Sequence, residues 1–280
     1  MRCCATATAD IAFAGLDETS HYAPMRILRL SESDDTAPGV ADEDRAWFIA
    51  QQALARELGE PVETVIKTIW PTPKLPELID RWIDEYQPDL VFMKVNWYWY
   101  GYESVPLRIR RVLGPVGKPL AEGGLAAAKN QRLSKMWWFK AGRRWAHHSI
   151  GGDAAFEPAE IVDLMTVCIR RIIAHESTGL IVKGYGEGRK SDPNLAMYYA
   201  RFKKKQAIVE GSIERLCNEL HVPFFVTPTA HTKKETGLDG TDGLHRNAHG
   251  HIIVGQQEGQ MLVTGWRMLN GIEAARPAAI

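Results

Sequence analysis

Five short apolar runs rich in β-branched residues, at 26–30, 62–67, 90–95, 180–183 and 222–227, alternate with longer segments whose apolar residues recur at helical spacing. That alternation predicts an α/β fold, a parallel sheet covered by helices on both faces. A chain of 280 residues can bury such a sheet in one domain with a substantial core.

Taken in order, residues 1–24 form an extension outside the pattern and receive no function; the domain runs over 25–280. The first run, 26–30, precedes a segment over 42–58 that opens with acidic residues and carries Trp47, Phe48, Leu54, Ala55 and Leu58 at helical spacing. The second run, 62–67, leads to a helix over 75–86, on which Leu75, Leu78, Ile79 and Trp82 share a stripe. After the third run, Trp97-Tyr98-Trp99-Tyr100 reads as a strand extension whose members alternate between faces, so at most half of them line a site. Helices are expected over 157–175 and 196–220. A last helix is expected from His245 or His249 towards Leu269, interrupted by Gly255 and Gly259.

The segment 101–158 breaks the rhythm. It holds many glycines, ten Lys and Arg against Glu103, Glu122, Asp153 and Glu157, and the aromatic group Met136-Trp137-Trp138-Phe139 with Trp145. An insertion of this size after a central strand reads as a cap or lid over a site, with a packing subdomain or a homo-oligomer contact as the open alternatives.

Composition excludes several functions. Lys plus Arg equals Asp plus Glu at 34 each, so no global field recruits nucleic acid or an anionic membrane. No apolar run reaches the length of a signal peptide or a membrane span, and the expected location is cytoplasmic. Cys3, Cys4, Cys168 and Cys217 have neither metal-ligand nor disulfide-framework spacing and read as reduced packing residues. No dinucleotide fingerprint, P-loop or Gly-x-Ser-x-Gly elbow occurs, and no cofactor is expected. Tyr185-Gly186-Glu187-Gly188-Arg189 is Gly-rich without the fingerprint spacing and reads as a loop at the site's edge.

In parallel sheets of this kind, ligands sit beyond the carboxyl ends of the strands. Three loops there carry chemistry. After the first strand, Ser31-Glu32-Ser33-Asp34-Asp35 offers Ser33 as a nucleophile. After the third, Lys94-Val95-Asn96-Trp97 offers the Asn96 amide as an oxyanion donor. After the fifth, Asp242-Gly243-Leu244-His245 offers an acid that can orient a histidine.

These residues, in this order from Met25 to about Leu269, resemble the SGNH hydrolase superfamily, also called GDSL esterases and lipases. The nucleophile block appears as Ser31-Glu32-Ser33 in place of Gly-Asp-Ser. The third-strand block keeps Asn96 but has Lys94 and Trp97 where the family has Gly and Asp, and Asp242-x-x-His245 is intact. The family's oxyanion glycine falls in Thr68-Ile69-Trp70-Pro71-Thr72-Pro73, which has no glycine, so Trp70 or Thr72 is left to supply a backbone N–H. The resemblance implies a three-layer α/β/α domain whose five parallel strands follow flavodoxin-like order. It implies a carboxylic ester hydrolase with a Ser33–His245–Asp242 triad, Asn96, Trp97 and Trp70 around the oxyanion and substrate, no metal, and a small-molecule ester as substrate. A carbohydrate O-acetyl ester is one specific form of that activity, and a catalytically degenerate binding protein on the same fold is the alternative.

Each residue also has a plainer role. Ser33 fits a turn or helix cap, Asn96 a strand-end turn, Asp242-Gly243 a helix entry, and His245 the protein surface. His245, His249 and His251 with Asp242 raise the question of zinc, but no Glu separates the first two histidines as a zincin motif requires. Arg143 and Arg144 beside Trp145 could attract an anionic substrate group, with solvated charge the plainer role, and the Lys203–Lys205 run reads as a solvated face.

Overall fold

The computed structural model describes residues 24–36, 39–101, 103–129, 136–138, 141–142, 145, 149, 151–185, 196–227 and 245–272. Five strands, β1 (Met25–Ser31), β2 (Val62–Thr68), β3 (Leu90–Lys94), β4 (Gly179–Gly184) and β5 (Phe224–Val226), form one parallel sheet in the order β2-β1-β3-β4-β5. This is the flavodoxin-like order, with its switch point between β1 and β3, where the chain's connections turn to opposite sides of β1.

The helices are α1 (Ala46–Leu58), α2 (Leu75–Tyr86), α3 (Tyr98–Gly101), α4 (Val105–Lys129), α5 (Pro158–Ile173), α6 (Ala196–Glu219) and α7 (Ala248–Leu269). Strand alternation sorts the core into two layers. Leu28, Leu30, Val91, Met93, Leu180 and Val182 pack with apolar residues of α2, α5 and α6. Ile27, Leu90, Phe92 and Ile181 pack on the other face with Ala50 and Leu54 of α1 and Met261 and Leu262 of α7.

The expected interruption of the last helix does not occur: α7 runs unbroken through Gly255 and Gly259. The two glycines lie one helical turn apart and face α1. A Cβ at 255 would stand 2.8 Å from Ile49 Cβ and 3.0 Å from the Ala46 backbone, and one at 259 would stand 2.7 Å from Ala53 Cβ. Their function is close helix approach, which outweighs their poor helix propensity.

The aromatic run is likewise helical where a strand extension was expected. Asn96 Oδ1 accepts the Tyr98 N–H at 2.8 Å, turning the chain into α3 straight after β3. Local side-chain capping overrides the β-propensity of Trp and Tyr here. Trp99 and Tyr100 become fully buried core residues, while Trp97 and Tyr98 stay half-buried at the sheet's edge.

The described part of the 101–158 segment leaves and re-enters the domain at one neck. Ser104 and Asp153 form an antiparallel bridge, with backbone bonds of 2.8 and 3.2 Å, reinforced by Arg108 to Asp153 at 3.1 Å and Arg111 to Glu157 at 2.6 Å. Between them α4 kinks at Gly114, whose φ of 57° is easy only for glycine, with Pro115 following. Exposed Val112, Leu113 and Val116 lie around this kink, and Trp137, Trp138 and Trp145 are exposed further on. No described helix is long and apolar enough to cross a membrane.

Candidate active site

Ser33 lies in a short 3₁₀ turn, Ser33–Thr36, directly after β1 and is exposed to solvent. His245 enters just before α7. Although 212 positions apart in sequence, the Ser33 Oγ and His245 Nε2 lie 3.3 Å apart, the spacing of a nucleophile and the base that would take its proton. Asp242 lies outside the described residues, as do Arg143, Arg144, Cys3, Cys4 and 186–189.

Asn96 sits at the carboxyl end of β3. Because its Oδ1 is occupied by the Tyr98 N–H, the Nδ2 group is the part left to donate to a ligand. The chain after β2 stays zippered to β1 as far as Ile69, whose N–H donates to the Ser31 carbonyl at 2.9 Å, so Trp70 starts the loop beside the Ser33 turn. Trp70 is 47% exposed and meets Tyr98 and Phe156, with ring centroids 6.3 and 5.9 Å apart. Trp97 faces Tyr98, Tyr185 and Phe202 at 6.0, 5.5 and 5.7 Å. Together these rings line the sheet edge from β2 to β4.

Beneath the turn lies a charged cluster that reading the sequence missed. Arg29, Lys94 and Lys183 continue the α1/α7 face of β1, β3 and β4, in register with Ile27, Phe92 and Ile181, towards the strands' carboxyl ends. All three are buried, and Asp35 and Glu258 are buried between them. Arg29 donates to Asp35 at 2.6 and 3.1 Å and also to Glu258, while Lys94 lies 3.3 Å from Asp35 and 3.0 Å from Glu258. Lys183 donates to Glu258 at 2.6 Å, and the Arg45 guanidinium holds the Asp35 carbonyl at 3.0 Å.

Burial disfavours every one of these charges, so the partners decide the protonation states. For Asp35 and Glu258 burial acts to raise the carboxyl pKa, but Arg29 and the lysines more than offset it and hold both well below the usual carboxylate range. Burial lowers the Lys183 ammonium, with Glu258 opposing. The signal available in the sequence was a cation inside each of three apolar runs and a lone Glu in an apolar helix.

The three C-terminal histidines go separate ways. His249 is exposed. His251 is fully buried, accepts the Ala46 N–H at Nδ1 over 3.3 Å, and has its pKa lowered by burial. Among the described residues no group of three or more His, Cys, Asp and Glu side chains is placed to hold a metal ion. Cys168 and Cys217 are buried free thiols, their pKa values pushed up to about 12 by burial, which makes them inert packing groups. In the Lys203–Lys205 run, Lys204 is exposed, but Lys205 reaches the buried Glu103 at 3.3 Å, so that face is only partly solvated.

Sheet order and the helices packed on its two faces define a three-layer α/β/α domain of flavodoxin-like order. Similar solved structures include a psychrotrophic esterase from Pseudoalteromonas sp., with 10% identity over 88% of this chain and 98% of that chain and a TM-score of 0.49. The aryl esterase of M. smegmatis shows 13% identity over 86% and 99%, with a TM-score of 0.45. A catalytic mutant of an acetylxylan esterase from Geobacillus stearothermophilus shows 14% identity over 90% and 96%, with a TM-score of 0.44. Likeness at these identities concerns the fold alone. No family model matches the chain, and no curated protein matches it in sequence.

Proposed function

We propose that the protein is a carboxylic ester hydrolase in which Ser33 is the nucleophile and His245 the general base. The observation that carries this reading is the 3.3 Å approach of Ser33 Oγ to His245 Nε2, on an exposed turn at the sheet's switch point. A serine hydroxyl is a weak nucleophile until a base sits beside it.

In the proposed reaction His245 Nε2 takes the Ser33 proton as Oγ bonds to the ester carbonyl carbon. The carbonyl electron pair moves onto oxygen, where the Asn96 Nδ2–H and the Ser33 N–H would stabilise it. The tetrahedral centre collapses, the bond to the alcohol oxygen breaks, and His245 returns the proton to that oxygen. Water then attacks the acyl-enzyme by the same route, releasing the acid and restoring Ser33. Asp242 would hold the other nitrogen of His245, as the family resemblance implies. The half-exposed Trp70 with Trp97 and Tyr98 would form the wall against which the acyl or alcohol portion rests.

Hydrolysis of p-nitrophenyl esters of increasing chain length, run beside acetylated sugars, tests the reading. Activity in the wild type that disappears in both Ser33→Ala and His245→Ala is expected. Undiminished hydrolysis by Ser33→Ala would assign the chemistry elsewhere.

A further inference from the structure

Ser33 and His245 are carried by segments from opposite ends of the chain, and one 3.3 Å contact between partly exposed side chains is too weak to fix their relative position. The residues immediately after each of them are joined far more firmly. Asp34 Oδ1 accepts the backbone N–H of Arg246 at 2.8 Å, and Asp34 Oδ2 accepts from the Arg246 guanidinium. Both side chains are largely buried, with 11% and 18% of their surface exposed. Burial acts to raise the Asp34 carboxyl, and the two Arg246 contacts outweigh it, keeping the group ionised.

Each end of this link is anchored. Asp35, next to Asp34, is bound by Arg29 on β1 and Lys94 on β3. On the other side Asn247, next to Arg246, caps α7 by accepting the Gly250 N–H at 2.9 Å. A continuous chain of bonds, buried at Asp35 and part-buried beyond it, therefore runs from the sheet through Asp35 and Asp34 to Arg246 and into the start of α7. Ser33 and His245 sit one residue outside it on either side.

We infer that Asp34 is a positioning residue for the reaction, and that its bond to the 246 N–H sets the distance between Ser33 Oγ and His245 Nε2. The inference rests on the esterase reading above. Neither Asp34 nor Arg246 touches the reacting atoms; together they fix where the two reacting side chains begin. The backbone bond matters more than the ion pair, because it constrains the main chain one peptide from His245. A displacement on the order of 1 Å between nucleophile and base can cost up to roughly a hundredfold in rate.

The test is the rate at which an organophosphonate probe labels Ser33, with p-nitrophenyl acetate kinetics and thermal unfolding measured on the same samples. Asp34→Ala removes both bonds and is expected to slow labelling and lower kcat by roughly ten- to a hundredfold, with KM little changed. Asp34→Asn keeps an oxygen for the 246 N–H while losing the ion pair, so it should retain most of the rate although its Tm falls. If Asp34→Ala does not fold, Asp34→Leu, which fills the volume without an acceptor, takes its place. Wild-type rates in the variant lacking an acceptor, or equal slowing in it and in Asp34→Asn, would overturn the positioning role. Failure of the wild type itself to label would instead overturn the esterase reading, and the inference with it.

Discussion

Replacing Glu258 by Gln keeps the size of the side chain and removes one of the two anions that serve three buried cations. In the folded protein Glu258 is completely shielded from water and neutralises Arg29, Lys94 at 3.0 Å and Lys183 at 2.6 Å. After the change only Asp35 remains opposite them. Breaking a buried pair by removing one partner typically costs about 3–5 kcal/mol, because the remaining charge keeps its desolvation penalty. Against a usual total of roughly 5–15 kcal/mol that is a large share, and the loss in Tm should be on the order of 10 °C. The pH dependence identifies the cause. Burial already lowers the Lys183 pKa, and without Glu258 it falls further below the ordinary 10.5. The unfolded chain then binds more protons than the folded one between those two values, so stability rises with pH there. Urea unfolding followed by Trp fluorescence at pH 7 and pH 9 should therefore show a deficit that shrinks at the higher pH. Removing Glu122 from the exposed pair with Lys118 serves as the control and should cost no more than about 1 kcal/mol. A Glu258→Gln loss below about 1 kcal/mol with no pH dependence would refute the reasoning about the buried cluster.

Other expected outcomes concern separate parts of the molecule. Gly255→Ala places a methyl group 3.0 Å from the Ala46 backbone, and overpacking should outweigh the gain in helix propensity, lowering stability by about 1 kcal/mol or more in urea. Asn96→Ala removes both the cap on α3 and the proposed oxyanion amide. It should lower kcat by roughly a hundred- to a thousandfold while costing only about 1 kcal/mol of stability, a contrast read from kinetics and unfolding on one sample. His251 is held neutral by burial, which opposes the nearby Asp34 and Asp35 carboxylates, so the unfolded chain takes up its proton first. Its contribution to stability is present above pH 6.5 and is lost as pH falls below it; the decline in urea midpoint from pH 6.5 to 5.5 should be smaller in His251→Leu.

The layers were legible in the sequence because strand and helix periodicities differ, and the five apolar runs are too short for anything but strands. The polar structure was less legible. Asp34 and Asp35, in a run of Ser and Asp, look like a solvated turn, yet both are buried by cations from β1, β3 and the start of α7. Those pairings join residues up to 212 positions apart, and no local pattern encodes them. Trp97-Tyr98-Trp99-Tyr100 misleads for a different reason. Aromatic β-propensity describes packing on a pleated surface, and one Asn96 side-chain bond was enough to coil the segment instead. Gly255 and Gly259 show the same dependence on context, since only the neighbouring α1 reveals that they permit contact. Ser33 and His245 are legible as candidates in the sequence because chemistry at strand carboxyl ends follows from topology, whereas the Asp34 link joins residues 212 positions apart with no motif to mark it.

The central claim is that Ser33 is a nucleophile activated by His245. The most direct measurement is mass-spectrometric mapping of the protein after reaction with a fluorophosphonate. One adduct per chain, on the peptide containing Ser33 and absent from Ser33→Ala and His245→Ala, is the expected result. A folded wild-type protein that takes no label, or is labelled at another residue, would contradict it.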